Sequence, residues 1–201
     1  MAHQLIKPIS ISRSYPNFDG AWYLVHFIPQ GQEPFSVSIR EFKDNEANAV
    51  KVWSKLASEC FASLNIKIDY IVRPLGSKEL KSSGTKSLDS LGAALAATLK
   101  CQYVPETMLK KKHIGPMHYI SRKVDRIKAL EGIYQVNPDS NLTDGNSFLI
   151  IDDISTSGAT VNAIRSELEK YFPTSKIYFY TLARTERLEG CNNQYDPSIF
   201  D

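Results

Sequence analysis

Two aspartates stand side by side in FLIIDDISTSGAT, residues 148–160, after four apolar residues and before a run of small and hydroxylic ones. An apolar run without alternation fits a central strand of a parallel sheet, covered on both faces. Ligands of such sheets bind outside the carboxyl ends of the strands, which is where Asp152 and Asp153 would stand. Ile154 to Thr160 then forms the turn from strand to helix, whose backbone amides make an anion site with the helix N-terminus. Thr156, Ser157 and Thr160 add hydroxyl donors, and Gly158 lets the backbone approach a ligand closely. Acceptors come first and phosphate donors second, the polarity of a ribose 5-phosphate. The aspartates accept from the 2′ and 3′ hydroxyls, directly or through a hydrated Mg²⁺, and the turn holds the phosphate. The competing reading is a strand that ends in a solvated acid pair, with Ser155 to Ser157 capping the next helix.

Two other chemistries can be excluded. A P-loop needs G-x-x-x-x-G-K-[ST] and a dinucleotide fold needs GxGxxG, and the sequence has neither. Lys110, Lys111, Lys112 and His113 form a basic run before Gly115 and Pro116, either a solvated face or a cationic loop that acts on closing. His113 and His118 are spaced poorly for a metal. Trp22, Tyr23, Phe27 and Phe35 could line a base pocket, although aromatics in a hairpin are more often core.

The elements that must position these residues alternate in type. AWYLVHFIP (21–29) reads as a strand, and FSVSIREF, with Phe35, Val37 and Ile39 against serines and arginine, reads as its hairpin partner. Val50, Trp53, Leu56, Ala57, Cys60, Phe61 and Leu64 form a helical stripe, and Leu88, Leu91, Leu95 and Leu99 another. IDYIVRPL and KIYFYTLA are strands, QYVPETML and IYQV are extended, and Ser121 to Leu130 is helical. Val161, Ile164, Leu168 and Tyr171 mark the helix after the acid-bearing strand. Strands alternating with helices predict an α/β domain with a mostly parallel sheet.

The chain has 201 residues, enough to bury a core in one compact unit. A net charge of +2 gives no warrant for nucleic-acid binding by the molecule as a whole. Cys60, Cys101 and Cys191 are odd in number and far apart, so buried thiols in a reducing compartment are expected rather than disulfides or zinc. No signal peptide or membrane-spanning run is seen, and a cytoplasmic location is expected.

FLIIDDISTSGAT resembles the phosphoribosyl pyrophosphate (PRPP) motif of type I phosphoribosyltransferases. Residues 37–185 are similar to the ComF-like branch of that family. SIREFKDNEANAVKVWSKLASECF resembles its opening strand, lysine turn and helix, IVRPLGSKELKSSG its proline-containing loop, and TLAR its closing strand. The resemblance implies a type I phosphoribosyltransferase-like, Rossmann-like fold of one domain. It would have a hairpin hood at 1–40, a core of five parallel strands flanked by helices at 41–185, and a tail at 186–201.

The resemblance also implies PRPP and Mg²⁺. Asp152 and Asp153 would be catalytic, binding the ribose hydroxyls and reaching the metal through water. Thr156, Ser157, Gly158, Ala159 and Thr160 would bind the 5-phosphate. Arg73, Pro74, Leu75, Gly76 and Ser77 would bind pyrophosphate, often through an unusual peptide geometry. Leu109 to Arg122 would be the flexible loop, whose Lys110, Lys111, Lys112 and His113 bring charge to the leaving group, with Lys112 catalytic and Arg122 and Lys123 as alternatives.

The expected partners are PRPP and a small nitrogenous acceptor, without direct binding of nucleic acid or membrane, and a homodimer is compatible with this. The family's cysteine zinc module is missing. Thr156 stands where hypoxanthine-guanine enzymes carry an aspartate, so 6-oxopurine salvage is not expected; GTKSL (84–88) departs from the ComF-like branch, so no substrate is carried over from it. A PRPP-binding regulator without turnover, or a DNA-uptake factor, are the alternatives.

Overall fold

The computed structural model of the chain describes residues 7–115, 120 and 122–186. Its main sheet has six strands: β1 (Ile9–Ser10), β2 (Gly20–Phe27), β3 (Tyr70–Val72), β4 (Gln102–Tyr103), β7 (Ser147–Ser155) and β8 (Lys176–Thr185). Their order across the sheet is β1-β2-β8-β7-β3-β4. Only the β1–β2 pairing is antiparallel; β2–β8, β8–β7, β7–β3 and β3–β4 are parallel, so the expected five parallel strands are present with an antiparallel edge strand added. A separate antiparallel pair joins β5 (Met108–Lys110) to β6 (Tyr134–Val136).

The strands show why this sheet must be buried on both sides. Along β7, Leu149 and Ile151 enter one apolar cluster while Phe148 and Ile150 enter the other, as the two-residue period of a strand requires. Helices α1 (Pro34–Lys43), α2 (Ala47–Ala62) and α3 (Ser87–Leu99) supply the first cluster's other wall, with Ile39, Phe42, Trp53, Phe61, Leu91 and Leu95. The second cluster is closed by α5 (Ala159–Tyr171), α4 (Lys123–Leu130) and the β5–β6 pair. Val161, Ile164 and Leu168 of α5 are buried, whereas Tyr171, the last of the expected stripe, is half exposed.

One predicted element is wrong. FSVSIREF is not a strand but the body of α1, and β2 lies inside the main sheet beside β8 rather than in a hairpin hood. The same residues that alternate also place Phe35, Ile39 and Phe42 four and three apart, and it is these that are buried. Glu33 caps the helix, its carboxylate accepting from the amides of Phe35 (3.0 Å) and Ser36 (2.7 Å), and Pro34 starts the first turn. Trp53 of α2 then donates to Ser38 of α1 at 3.0 Å, fixing the two helices together.

The stretch QYVPETML is broken between β4, a 3-10 turn (Pro105–Thr107) and β5. Cys60 is buried as expected and Cys101 half-buried; both are free thiols, with burial pushing them up to about 12 and about 11. Cys191 and the segment 187–201 lie outside the described residues. Among the described residues no helix is long and apolar enough to cross a membrane.

Candidate functional site

From β3 the chain crosses through α3 on one face to β4; from β7 it crosses through α5 on the other face to β8. Adjacent strands β3 and β7 therefore send the chain in opposite directions, which opens a crevice between their carboxyl ends. A cavity of about 1030 Å³ lies there. Its walls are Asp152 to Thr160, Pro74 to Ser77 after β3, Phe27 and Thr185 at the ends of β2 and β8, and the last turn of α1 with Arg40 and Lys43.

β7 runs on through both acids to Ser155, so the turn begins later than predicted, at Thr156. Both carboxylates are half-buried in the cavity wall, which is not the solvated pair of the competing reading. Asp152 accepts from the Asp153 amide at 2.9 Å, and Asp153 from the Ile154 amide at 2.6 Å. Burial, and then the charge of Asp153 beside it, hold the Asp152 carboxyl well above the usual carboxylate range, with Lys43 acting the other way.

Gly158 takes φ +70°, and a Cβ on it would lie 2.5 Å from the Tyr15 ring. It occupies the N-cap position of α5 and brings no side-chain cap of its own, while the Ser157 hydroxyl accepts from the Ala159 amide at 3.4 Å. The Tyr15 hydroxyl bonds the hydroxyl of Ser155, fixing the residue between acids and turn from the far side. Thr156 lies 3.1 Å from Thr185, hydroxyl to hydroxyl, tying the turn to the end of β8.

The residues expected at the pyrophosphate end divide. Pro74, Leu75, Gly76 and Ser77 line the cavity, and all peptide bonds among the described residues are trans, without the unusual geometry expected there. The Arg73 side chain does not reach the cavity. It is 1% exposed and bonds Glu79 (2.9 and 3.1 Å), Asp89 (2.6 and 3.0 Å), Ser82 and the Pro74 carbonyl. A guanidinium this buried needs carboxylate partners, and two are built in. Burial alone would raise Glu79, yet bonds from Arg73 and the Gly76 amide bring it down to about 2.

Lys110 is buried in the cavity wall, not carried on an open loop. Lys111, Lys112 and His113 are exposed and stand outside that wall. Arg122 is exposed and pairs with Asp125 at 2.8 Å. The rest of the expected loop, 116–119 with His118, and residue 121 lie outside the described residues, as does the side chain of Lys123. Of the four aromatics considered for a base pocket only Phe27 lines the cavity; Trp22 packs on Phe61 and Tyr178, and Tyr23 and Phe35 are core.

Sequence reasoning missed Tyr15, Arg40, Lys43, Arg126, Tyr134 and Thr185. Arg40 and Lys43 share a face once their segment is read as a helix; nothing in the sequence points to Tyr15. Among the described residues no three His, Cys, Asp or Glu side chains gather to hold a metal. Two carboxylates would suit Mg²⁺, which keeps several waters and shares its ligands with substrate phosphates, and a cation there would offset the burial and the Asp153 charge that raise Asp152.

The fold and the cavity define an α/β protein with an open, mostly parallel sheet and a ligand crevice at its switch point. No protein-family model matches the chain, and no curated protein matches it significantly. Among solved structures it is similar to the adenine phosphoribosyltransferase of Leishmania tarentolae, at 7% identity over 89% of this chain and 94% of that one, TM-score 0.49. The enzyme of Trypanosoma brucei, solved with AMP, pyrophosphate and ribose-5-phosphate, is similar at 12% identity over 89% and 87%, TM-score 0.47. That of Thermoanaerobacter pseudethanolicus is similar at 16% identity over 71% and 83%, TM-score 0.44.

Proposed function

We propose that the protein is a PRPP-dependent phosphoribosyltransferase, moving the 5-phosphoribosyl group to a nitrogen of a small acceptor with release of pyrophosphate, or the reverse. One observation carries this: Asp152 and Asp153 share a cavity wall with a glycine-containing turn that opens into the N-terminus of α5. That arrangement pairs hydroxyl acceptors with an anion cradle, the polarity of a ribose phosphate.

In the reaction the bond from ribose C1 to the pyrophosphate oxygen breaks, a bond from C1 to the acceptor nitrogen forms, and the nitrogen's proton is released. Positive charge grows on the ribose and negative charge on the leaving group, so catalysis is mostly electrostatic. Asp152 and Asp153 hold the ribose hydroxyls and place their charge under the ring. The turn from Thr156 to Thr160 anchors the 5-phosphate, and the Pro74–Ser77 turn, which lines the cavity, takes the pyrophosphate end. Mg²⁺, held by Asp152 and Asp153 through water, supplies positive charge to the phosphates when bound.

A second reading keeps PRPP binding and drops turnover. It is favoured by the position of Lys111, Lys112 and His113, outside the cavity wall, and by the internal use of Arg73. Calorimetry with PRPP and Mg²⁺ tests the first claim common to both. Asp152→Asn with Asp153→Asn is expected to abolish binding with the melting temperature held or raised, and retained affinity overturns the site. Pyrophosphate release from labelled PRPP with a panel of bases then separates enzyme from binder.

A further inference from the structure

Lys110 ends β5 with 5% of its surface exposed, and its Nζ donates to the carbonyls of Leu75 (2.7 Å) and Gly76 (2.8 Å). The ammonium sits 5.4 Å from the centre of the Tyr134 ring, whose hydroxyl reaches the same Leu75 carbonyl at 3.5 Å. The turn is also pinned from within. The Gly76 amide donates to Glu79 at 2.7 Å, and the Glu79 amide donates back to the Gly76 carbonyl at 3.0 Å. In a trans peptide the N–H lies opposite the preceding C=O. With the Gly76 carbonyl held by Lys110, the Ser77 amide is directed away from the ammonium, on a residue that lines the cavity.

We propose that protonated Lys110 is a positioning residue for anion binding: it fixes the peptide planes of the Leu75–Ser77 turn so that the turn receives a diphosphate. This rests on the reading of the cavity as a PRPP site. A neutral amine keeps two N–H donors but has no charge with which to polarise two carbonyls, so the clamp is strongest with the proton in place. The groups facing it are Arg73 and Glu79 from the segment after β3 and Tyr134 from β6. Burial lowers the Lys110 ammonium to about 8, Glu79 opposes that, and Arg73 adds to it. The clamp is therefore at full strength at pH 7 and weakens as pH rises through about 8.

The test is calorimetric binding of pyrophosphate with Mg²⁺ to wild type, Lys110→Arg and Lys110→Gln at pH 7 and pH 9. Dividing wild-type affinity by that of Lys110→Arg cancels the ionisation of the ligand itself. The ratio is expected to fall about tenfold from pH 7 to pH 9, the change in protonated fraction of a group titrating near 8, while Lys110→Gln binds weakly at both. Parallel slopes in wild type and Lys110→Arg overturn the inference alone; no binding by wild type at pH 7 overturns the reading of the site and the inference together. Hydrogen exchange on wild type alone needs no variant to fold. Corrected for intrinsic rate, protection of the Gly76 amide is expected to drop between pH 7 and pH 9 while that of Leu149 holds, and equal protection at both overturns the clamp.

Discussion

The placement of Asp152, Asp153 and Gly158 at the carboxyl end of a buried strand was legible in the sequence because their types and order follow an unbroken apolar run. What could not be read was their support. The Tyr15 ring fills the space over Gly158 and its hydroxyl holds Ser155, a contact between residues far apart in the chain that no spacing announces. Gly158→Ala tests the turn. The left-handed backbone alone costs a residue with a Cβ about 1–2 kcal/mol, and Tyr15 must also move. A lower denaturation midpoint and weaker binding of ribose 5-phosphate are expected; wild-type values for both would show that the turn tolerates a side chain and is no close-approach site.

Helices α2, α3 and α5 could be read from their stripes, but α1 could not, because FSVSIREF satisfies both a two-residue and a three-to-four-residue period. Its Glu-Pro start was the signal that favoured a helix. Arg73 misled for a different reason: an arginine at a strand end looks the same whether it serves a phosphate or partners elsewhere in the chain. Glu79 and Asp89 settle it, and Asp89 also accepts from the Lys86 amide at the start of α3 and from the Tyr103 hydroxyl. The network thus joins β3, the following turn, α3 and β4. Arg73→Met leaves two buried carboxylates unpaired and is expected to cost about 3–5 kcal/mol in urea denaturation. Adding Glu79→Gln and Asp89→Asn should recover part of that loss, and a triple variant no more stable than the single one would mean that the arginine packs rather than pairs.

The molecule's response to acid follows from the same charges. Glu79, at about 2, and Asp89 and Asp69 all titrate below their ordinary values when folded: burial opposes this in each, and hydrogen bonds outweigh it. Lowered carboxylates contribute stability that is fully present above about pH 4.5 and lost as pH falls towards about 2. Equilibrium unfolding followed by circular dichroism is expected to show its steepest loss in that window, and Arg73→Met to flatten it. A wild-type profile flat from pH 5 to 2 contradicts the assignment. The parallel ladder from Gly20↔Tyr178 to Phe27↔Thr185 has another kind of consequence. On the ribosome β2 emerges early and its partner β8 only after every other strand among the described residues, so β2 must wait with one edge unmatched while the intervening chain is made. A nascent chain arrested before Lys176 has neither that pairing nor the side of the crevice formed by Phe27 and Thr185 together. The ligand therefore cannot guide the early steps of folding, and the binding site is completed only by the closing strand.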